Sequence, residues 1–371
     1  MDRIRVLAVC SYPAEAAATR YRLAQFVEPL AAHGIDMTLR PFLDGSRFAN
    51  FYKRGRIVRN AAGLIKPAFG RFADALSVRK YDLVFVQREA MMFGPPVFEW
   101  LFGVVGRVPI VLDLDDATYV PYTSPTYGRL GSALKFFGKT DQLIDLATYV
   151  ISCNRFVAEY VQKRNKPTSI VPTVIDTEKF APVDRSNRDP VTIGWIGTHS
   201  TYPFLQSLFP VLEKLAANNT FKLKIVGSGR DTHSLSFEVE SLPWRLDREV
   251  DDFRSFDIGL YPMVVAANAS HDWLHGKSCF KAVQYMTAGL PFVVTPAGNC
   301  GETGLVGQTH FAANSDTEWY ESLMKLLASD GLRQTMGEKG RAFALEHFTI
   351  DQQVRKLADI FQNACRGTYA K

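Results

Sequence analysis

The sequence predicts an α/β protein built from two parallel-sheet domains, and three observations carry that reading. Short continuous apolar runs rich in Val and Ile recur along the chain, as strands buried on both faces do. Segments of helical periodicity separate them. The series also occurs twice: "RIRVLAVC", "YDLVFVQ" and "VGRVPIVLDL" in the first half, then "VTIGWIG", "FDIGLYPM" and "TAGLPFVVTP" in the second. A length of 371 residues suits two cores better than one.

Each half therefore reads as a Rossmann-like βαβ domain. The polar, proline-bounded stretch "FAPVDRSNRDP", Phe180 to Pro190, has the composition of a linker. The expected boundaries are residues 1–182 for the first domain, 190–346 for the second and 347–371 for a C-terminal amphipathic helix. That helix carries apolar positions at Ile350, Val354, Leu357, Ile360 and Phe361, suited to packing back on the first domain. Two doubly wound domains facing across a cleft would gather strand carboxyl ends and helix amino termini there, so a phosphorylated ligand is the physical default.

The composition, 47% hydrophobic and 22% charged, is that of an ordinary globular chain. Five scattered cysteines show no spacing for zinc or for a disulfide framework, which reads as a reducing cytoplasm. The apolar run of "MDRIRVLAVCSYPAE" is too short for a secretory signal. The longest apolar reach, Val97 to Leu112, is broken by Glu99 and Arg107, which argues against a membrane span. Net charge is only +5 but unevenly placed. Residues 40–80 hold ten Lys or Arg against Asp44 and Asp74, interleaved with Phe48, Phe51, Tyr52, Ile57, Leu64 and Phe69. Such a segment fits peripheral contact with an anionic inner membrane face, or an anionic substrate, as well as a plain solvated helix. Nucleic-acid binding has no support beyond it.

Several stretches carry candidate chemistry. "HGKSCFKAVQYM" sets Lys277 and Lys281 one turn apart where an apolar helix is expected to begin, an unfavourable place for cations unless an anion is supplied. "GWIGTH" could bring the N–H groups of Gly197 and Thr198 to a diphosphate, or be a simple βα turn. "GSG" at Gly227–Gly229 lacks the rest of a dinucleotide fingerprint. "LDLDDA" places Asp113, Asp115 and Asp116 at a strand end, where Asp116 would cap the next helix. Arg20 and Arg22 in "AAATRYRLAQF", and Arg88 and Glu89 in "VQREAMMFG", are candidates for acceptor contact; the alternatives are helix-surface charges and a mutual ion pair.

Four segments in order, "YVISCNRFVAEYVQKRNKPTSIVPTVIDTEKFAP", "VTIGWIGT", "LKIVGSG" and "QYMTAGLPFVVTPAGNCGE", resemble the retaining glycosyltransferases of family 4, which have the GT-B architecture of two Rossmann-like domains. The chain resembles a divergent branch: the two glutamates usual in that family fall on Trp273 and Lys281. The Arg and Lys that usually follow the first strand of the second domain are replaced in "GTHSTYPFL". The resemblance implies a nucleoside diphosphate sugar as co-substrate, no other cofactor, no metal, and a glycan or lipid-linked acceptor in polysaccharide or glycoconjugate synthesis. It implies donor contacts by Gly197, Thr198, Trp244, Lys277, Lys281, Gly298 and Glu302. Lys277 and Lys281 would substitute for the missing cations, and Asp115 would stand where the family has a histidine near the donor sugar. A non-catalytic binding homologue and a sugar-nucleotide epimerase of the same fold are the alternatives.

Overall fold

The computed structural model describes residues 3–51, 62–122, 128–186, 188–230, 235–264, 270–301 and 303–369. Tyr52, Ile57 and Glu302, named above, lie outside these residues. The described residues form two wholly parallel six-stranded sheets surrounded by helices.

The first sheet has the order β2-β1-β3-β4-β5-β6, with β1 Ile4–Cys10, β2 Ile35–Pro41, β3 Leu83–Gln87, β4 Ile110–Leu114, β5 Tyr149–Ser152 and β6 Thr168–Ile170. β1, β3 and β4 are the apolar runs of the first half. From Val6 to Cys10, and throughout β3 and β4, every residue is buried. One of them is the carboxylate Asp113, in the middle of an apolar strand, and its burial is tolerated because Arg22 is buried with it. Arg22 donates from Nε to Asp113 Oδ2 at 2.9 Å and from Nη2 to Asp113 Oδ1, while its Nη1 donates to the Val171 carbonyl at 2.7 Å. Burial pushes the Asp113 carboxyl above its ordinary range against the pull of that guanidinium.

The second sheet has the order β12-β11-β10-β7-β8-β9, with β7 Val191–Ile196, β8 Phe221–Val226, β9 Glu238–Leu242, β10 Ile258–Tyr261, β11 Phe292–Val294 and β12 Phe311–Ala312. Two glycines inside its central strands are explained by rings lying on them. A Cβ at Gly194 would overlap the Phe256 ring, and one at Gly259 would lie 2.8 Å from the Tyr285 ring. His310, also in this unit, is buried and stacked 4.8 Å from Phe292, with Nδ1 paired to Thr309 Oγ1 at 2.9 Å.

The chain forms two compact units. The first comprises Met1–Val174, His275–Ser278 and Ile350–Lys371; the second comprises Ile175–Leu274 and Cys279–Thr349. The division falls before the stretch Phe180–Pro190, and the Phe180 ring is buried, 5.6 Å from that of Phe253. Ile350–Cys365 is one helix, whose buried face includes Val354, Leu357, Ile360 and Phe361. Phe361 lies 4.9 Å from Phe85 of β3.

Two stability predictions follow from these cores. Arg22→Ala leaves Asp113 buried without its partner and should cost roughly 3–5 kcal/mol in chemical unfolding, whereas Arg22→Met combined with Asp113→Leu should be close to neutral. Equal losses in both would show that the ion pair is not what the site requires. For His310, burial lowers the pKa from 6.5 to about 4. The folded value lies below the unfolded one, so the stabilisation is complete above the unfolded pKa and is lost as pH falls towards the folded one. The loss should be on the order of 3 kcal/mol, and His310→Phe should flatten it. An unchanged acid slope in the variant would assign the effect elsewhere.

Candidate functional site

In open parallel sheets, ligands collect at the carboxyl ends of the strands, where the strand order reverses. The reversal lies between β1 and β3 in the first sheet and between β7 and β10 in the second.

At the carboxyl end of the first sheet, β3 ends at Gln87, and Arg88 follows in the left-handed region with φ 61°. This conformation is unusual for a side chain of that size. It is held by the Arg88 N–H donating to the Asp113 carbonyl at 2.9 Å. The turn aims the guanidinium at the residues after β4: Nη2 lies 2.8 Å from Asp115 Oδ2 and 2.9 Å from Asp116 Oδ2. Gln87 Nε2 donates to Asp115 Oδ1 at 3.0 Å. Lys277 Nζ completes the cluster, 3.1 Å from Asp116 Oδ2. Burial alone would raise the Asp115 carboxyl, but the Arg88 guanidinium outweighs it and lowers the pKa, so Asp115 is held as an anion. Cys153, pushed well above its ordinary pKa by burial and then by Asp116, stays a thiol.

Lys277 owes its place to two backbone constraints. Asn154 caps the helix Arg155–Gln162 through Oδ1, and its Nδ2 donates to the carbonyls of His275 at 3.1 Å and Lys277 at 3.0 Å. Gly276 passes so close to Ala117 that a Cβ would overlap it. Lys277 therefore stands in irregular backbone. The expectation that Lys277 and Lys281 share a helical turn is corrected: Cys279 is left-handed at φ 52°, the helix is Phe280–Thr287, and only Lys281 is on it. Lys277 belongs to the first unit and Lys281 to the second.

Other candidates in the first unit are bonded within the protein. Arg22 is buried on Asp113 and is no surface charge. Arg20 donates to the Glu15 carbonyl at 2.9 Å and lies over the Tyr21 ring. Glu89 pairs with Lys139 at 2.8 Å, so Arg88 and Glu89 do not pair with each other. Asp116 holds Arg88 and Lys277.

At the reversal point of the second sheet, Gly197 follows β7 and Tyr261 ends β10. The Gly197 N–H donates to the Val226 carbonyl at 3.0 Å, extending the β7–β8 ladder by one residue, and the Thr198 N–H donates to Thr201 Oγ1 at 3.1 Å. These bonds correct the expectation that both N–H groups serve an anion. The glycine is required by crowding instead, since a Cβ would overlap the Trp195 ring. Gly227, at φ 84°, lies against the Gly197 carbonyl, and a Cβ on it would be 3.1 Å from that of Trp244. Trp244 is half-buried beside these strand ends and is not a core residue. The Lys281 ammonium lies 5.2 Å from the centroid of the Tyr261 ring. Gly298 opens the turn Gly298–Gly301 with φ 56°.

The cysteine reading is also corrected: Cys279 and Cys300 form a disulfide, with Cα atoms 5.2 Å apart. It ties the start of the Lys281 helix to the Gly298–Gly301 turn. Spacing gave no sign of it because β11 returns the chain between the two residues. Gln87, Asn154 and Tyr261 were also missed, although polar Gln87 at the end of an apolar strand is the kind of signal that marks a strand's functional end. Among the described residues no cluster of three or more His, Cys, Asp or Glu is arranged to hold a metal ion.

No protein-family model matches the sequence, and no curated protein matches it. Solved structures match in fold along almost the whole chain. HepE of Anabaena, in complex with UDP-glucose, is 14% identical with a TM-score of 0.67, covering 97% of this chain and 100% of its own. Sucrose-phosphate synthase of Thermosynechococcus elongatus is 12% identical with a TM-score of 0.66, covering 98% and 99%. A glycosyltransferase from Rickettsia africae is 13% identical with a TM-score of 0.67, again covering 98% and 99%. The two parallel six-stranded sheets are thus the fold of GT-B glycosyltransferase structures.

Proposed function

We propose that this chain is a glycosyltransferase that moves a hexose from a nucleoside diphosphate, with uridine as the base, to a hydroxyl of a glycan or lipid-linked acceptor. The observation that carries the reading is the chain-long likeness to sugar-transferring enzymes, one of which holds UDP-glucose. In the second unit, Lys281 and Trp244 stand at the strand ends where a donor would bind, the lysine as counter-charge for the diphosphate and the tryptophan as a face for the base or ribose. Gly298 and Glu302 complete the donor set proposed from sequence. In the first unit, Asp115 orients a substrate hydroxyl, Arg88 holds Asp115 ionised, and Lys277 supplies a further positive charge.

Transfer proceeds with retention and without a metal. The bond from the anomeric carbon to the diphosphate oxygen breaks, the acceptor oxygen bonds to the same face, and the acceptor proton passes to the departing diphosphate. Fixed positive charge at the leaving group is the main electrostatic contribution. The setting is polysaccharide or glycoconjugate synthesis.

Calorimetry with UDP, GDP, ADP and TDP tests the reading: UDP should bind most tightly. Lys281→Ala should weaken UDP binding by about tenfold or more, the scale of a charge-assisted hydrogen bond. Unchanged affinity in the variant would remove Lys281 from the donor site. Tight UDP binding with no sugar transferred or hydrolysed from any UDP-hexose would favour a non-catalytic homologue.

A further inference from the structure

The helix Ile65–Ser77 is built with its amphipathic pattern reversed. Ile65, Phe69, Phe72 and Leu76 recur at helical spacing and fall on one face. That face is turned outward: the four residues are 59%, 70%, 49% and 90% exposed. The inward side is held by a cation. Arg71, 2% exposed, donates to the carbonyls of Ala90 at 3.0 Å, Cys10 at 2.9 Å and Arg40 at 2.8 Å, and pairs with Asp74. Folding of the unit thus fixes the helix through a guanidinium and leaves its apolar stripe uncovered.

The stripe continues onto the neighbouring segment. Phe72 packs edge-on against Phe98 at 5.1 Å, and Arg79 Nη2 donates to the Val105 carbonyl at 3.2 Å. Val97, Trp100, Val104 and Val105, in the helical stretch from Val97 to Val105, are each between 44% and 49% exposed. A continuous apolar surface of this kind marks an interaction site.

Charge identifies the partner. Lys66, Arg79, Lys80 and Arg107 are exposed on these same segments. The acids among them are engaged: Asp74 by Arg71 and Arg40, and Glu99, buried, by the Ala90 N–H. We infer that the outward face of Ile65–Ser77, together with Trp100, Val104 and Val105, docks on an anionic lipid bilayer. Phe69, Leu76 and Trp100 enter the headgroup boundary, and Lys66, Arg79, Lys80 and Arg107 meet the lipid phosphates. A second copy of the chain is a poorer occupant, since pairing like faces would set these cations against themselves. Among the described residues no helix is long and apolar enough to cross a membrane. The surface differs from the one expected across residues 40–80. Arg40, Arg47 and Arg71 are tied to Asp74 and Asp44, Lys53, Arg54, Arg56 and Arg59 lie outside the described residues, and four of the eight apolar residues of the surface come from Val97 to Val105.

The inference rests on the surface alone and not on the sugar-transfer reading, so its test uses neither donor nor acceptor. Flotation of the full chain with vesicles of phosphatidylcholine and phosphatidylglycerol in equal parts should show binding that pure phosphatidylcholine does not give. Phe69→Asp with Leu76→Asp should lower partitioning by about tenfold or more. Lys80→Glu should lower it by about fivefold or more, and added salt should weaken binding. Because these side chains are exposed, thermal unfolding should stay as in the parent protein. Equal partitioning of parent and variants would overturn the proposal. So would a parent protein that ignores vesicles but is dimeric by light scattering, with the Phe69→Asp, Leu76→Asp variant monomeric.

Discussion

The arrangement of the first unit depends on matching negative charge at the end of one buried strand. Asp113 lies inside β4, and Asp115 and Asp116 follow it directly, where water is largely excluded. Carboxylates in such a place are tolerated only when cations are brought to them. Arg22 comes from the helix Ala17–Arg22, Arg88 from a left-handed turn after β3, and Lys277 from a segment far along the chain. Arg22 and Arg88 tie the elements that carry them to the carboxyl end of the sheet, and Lys277, placed by its backbone, adds its charge there. The result is a fixed array of donors and acceptors at the place where parallel sheets bind ligands.

The second unit meets a different constraint, which is steric. Gly194 and Gly259 let rings lie on its central strands, and Gly197 and Gly227 let a ring and backbone come together at strand ends. The Cys279–Cys300 bond and the left-handed Cys279 set where the Lys281 helix begins. Lys281 then stands over Tyr261 at the point where the strand order reverses, and Trp244 lies beside Gly227, which follows β8. The proposed donor contacts are therefore placed by backbone geometry, where those of the first unit are placed by charge.

The strands were legible because a strand buried on both faces must be apolar throughout: "LVFVQ" and "IVLDL" can hardly be read otherwise. The C-terminal helix was legible from its periodicity. What the sequence hid were matters of backbone phase and of direction. The spacing of Lys277 and Lys281 suggests a shared helical turn, and nothing in "GKSCF" announces that Cys279 is left-handed. The identity of Arg22 does not say whether it faces water or a buried aspartate, because its partner is distant in sequence. The N–H of Gly197 was expected to face a ligand, but its bond to Val226 is a matter of ladder length. The stripe Ile65, Phe69, Phe72, Leu76 could be seen in the sequence, yet only the bonds of Arg71 show that it faces outward.

The most direct measurement is a double-mutant cycle on Arg88→Met and Asp115→Asn, followed by chemical unfolding. If matched charge at the end of β4 organises the first unit, each single change should be costly and the pair should be coupled by about 1 to 3 kcal/mol. Losses that simply add, to within about 0.5 kcal/mol, would show that the two groups act independently and would contradict the account.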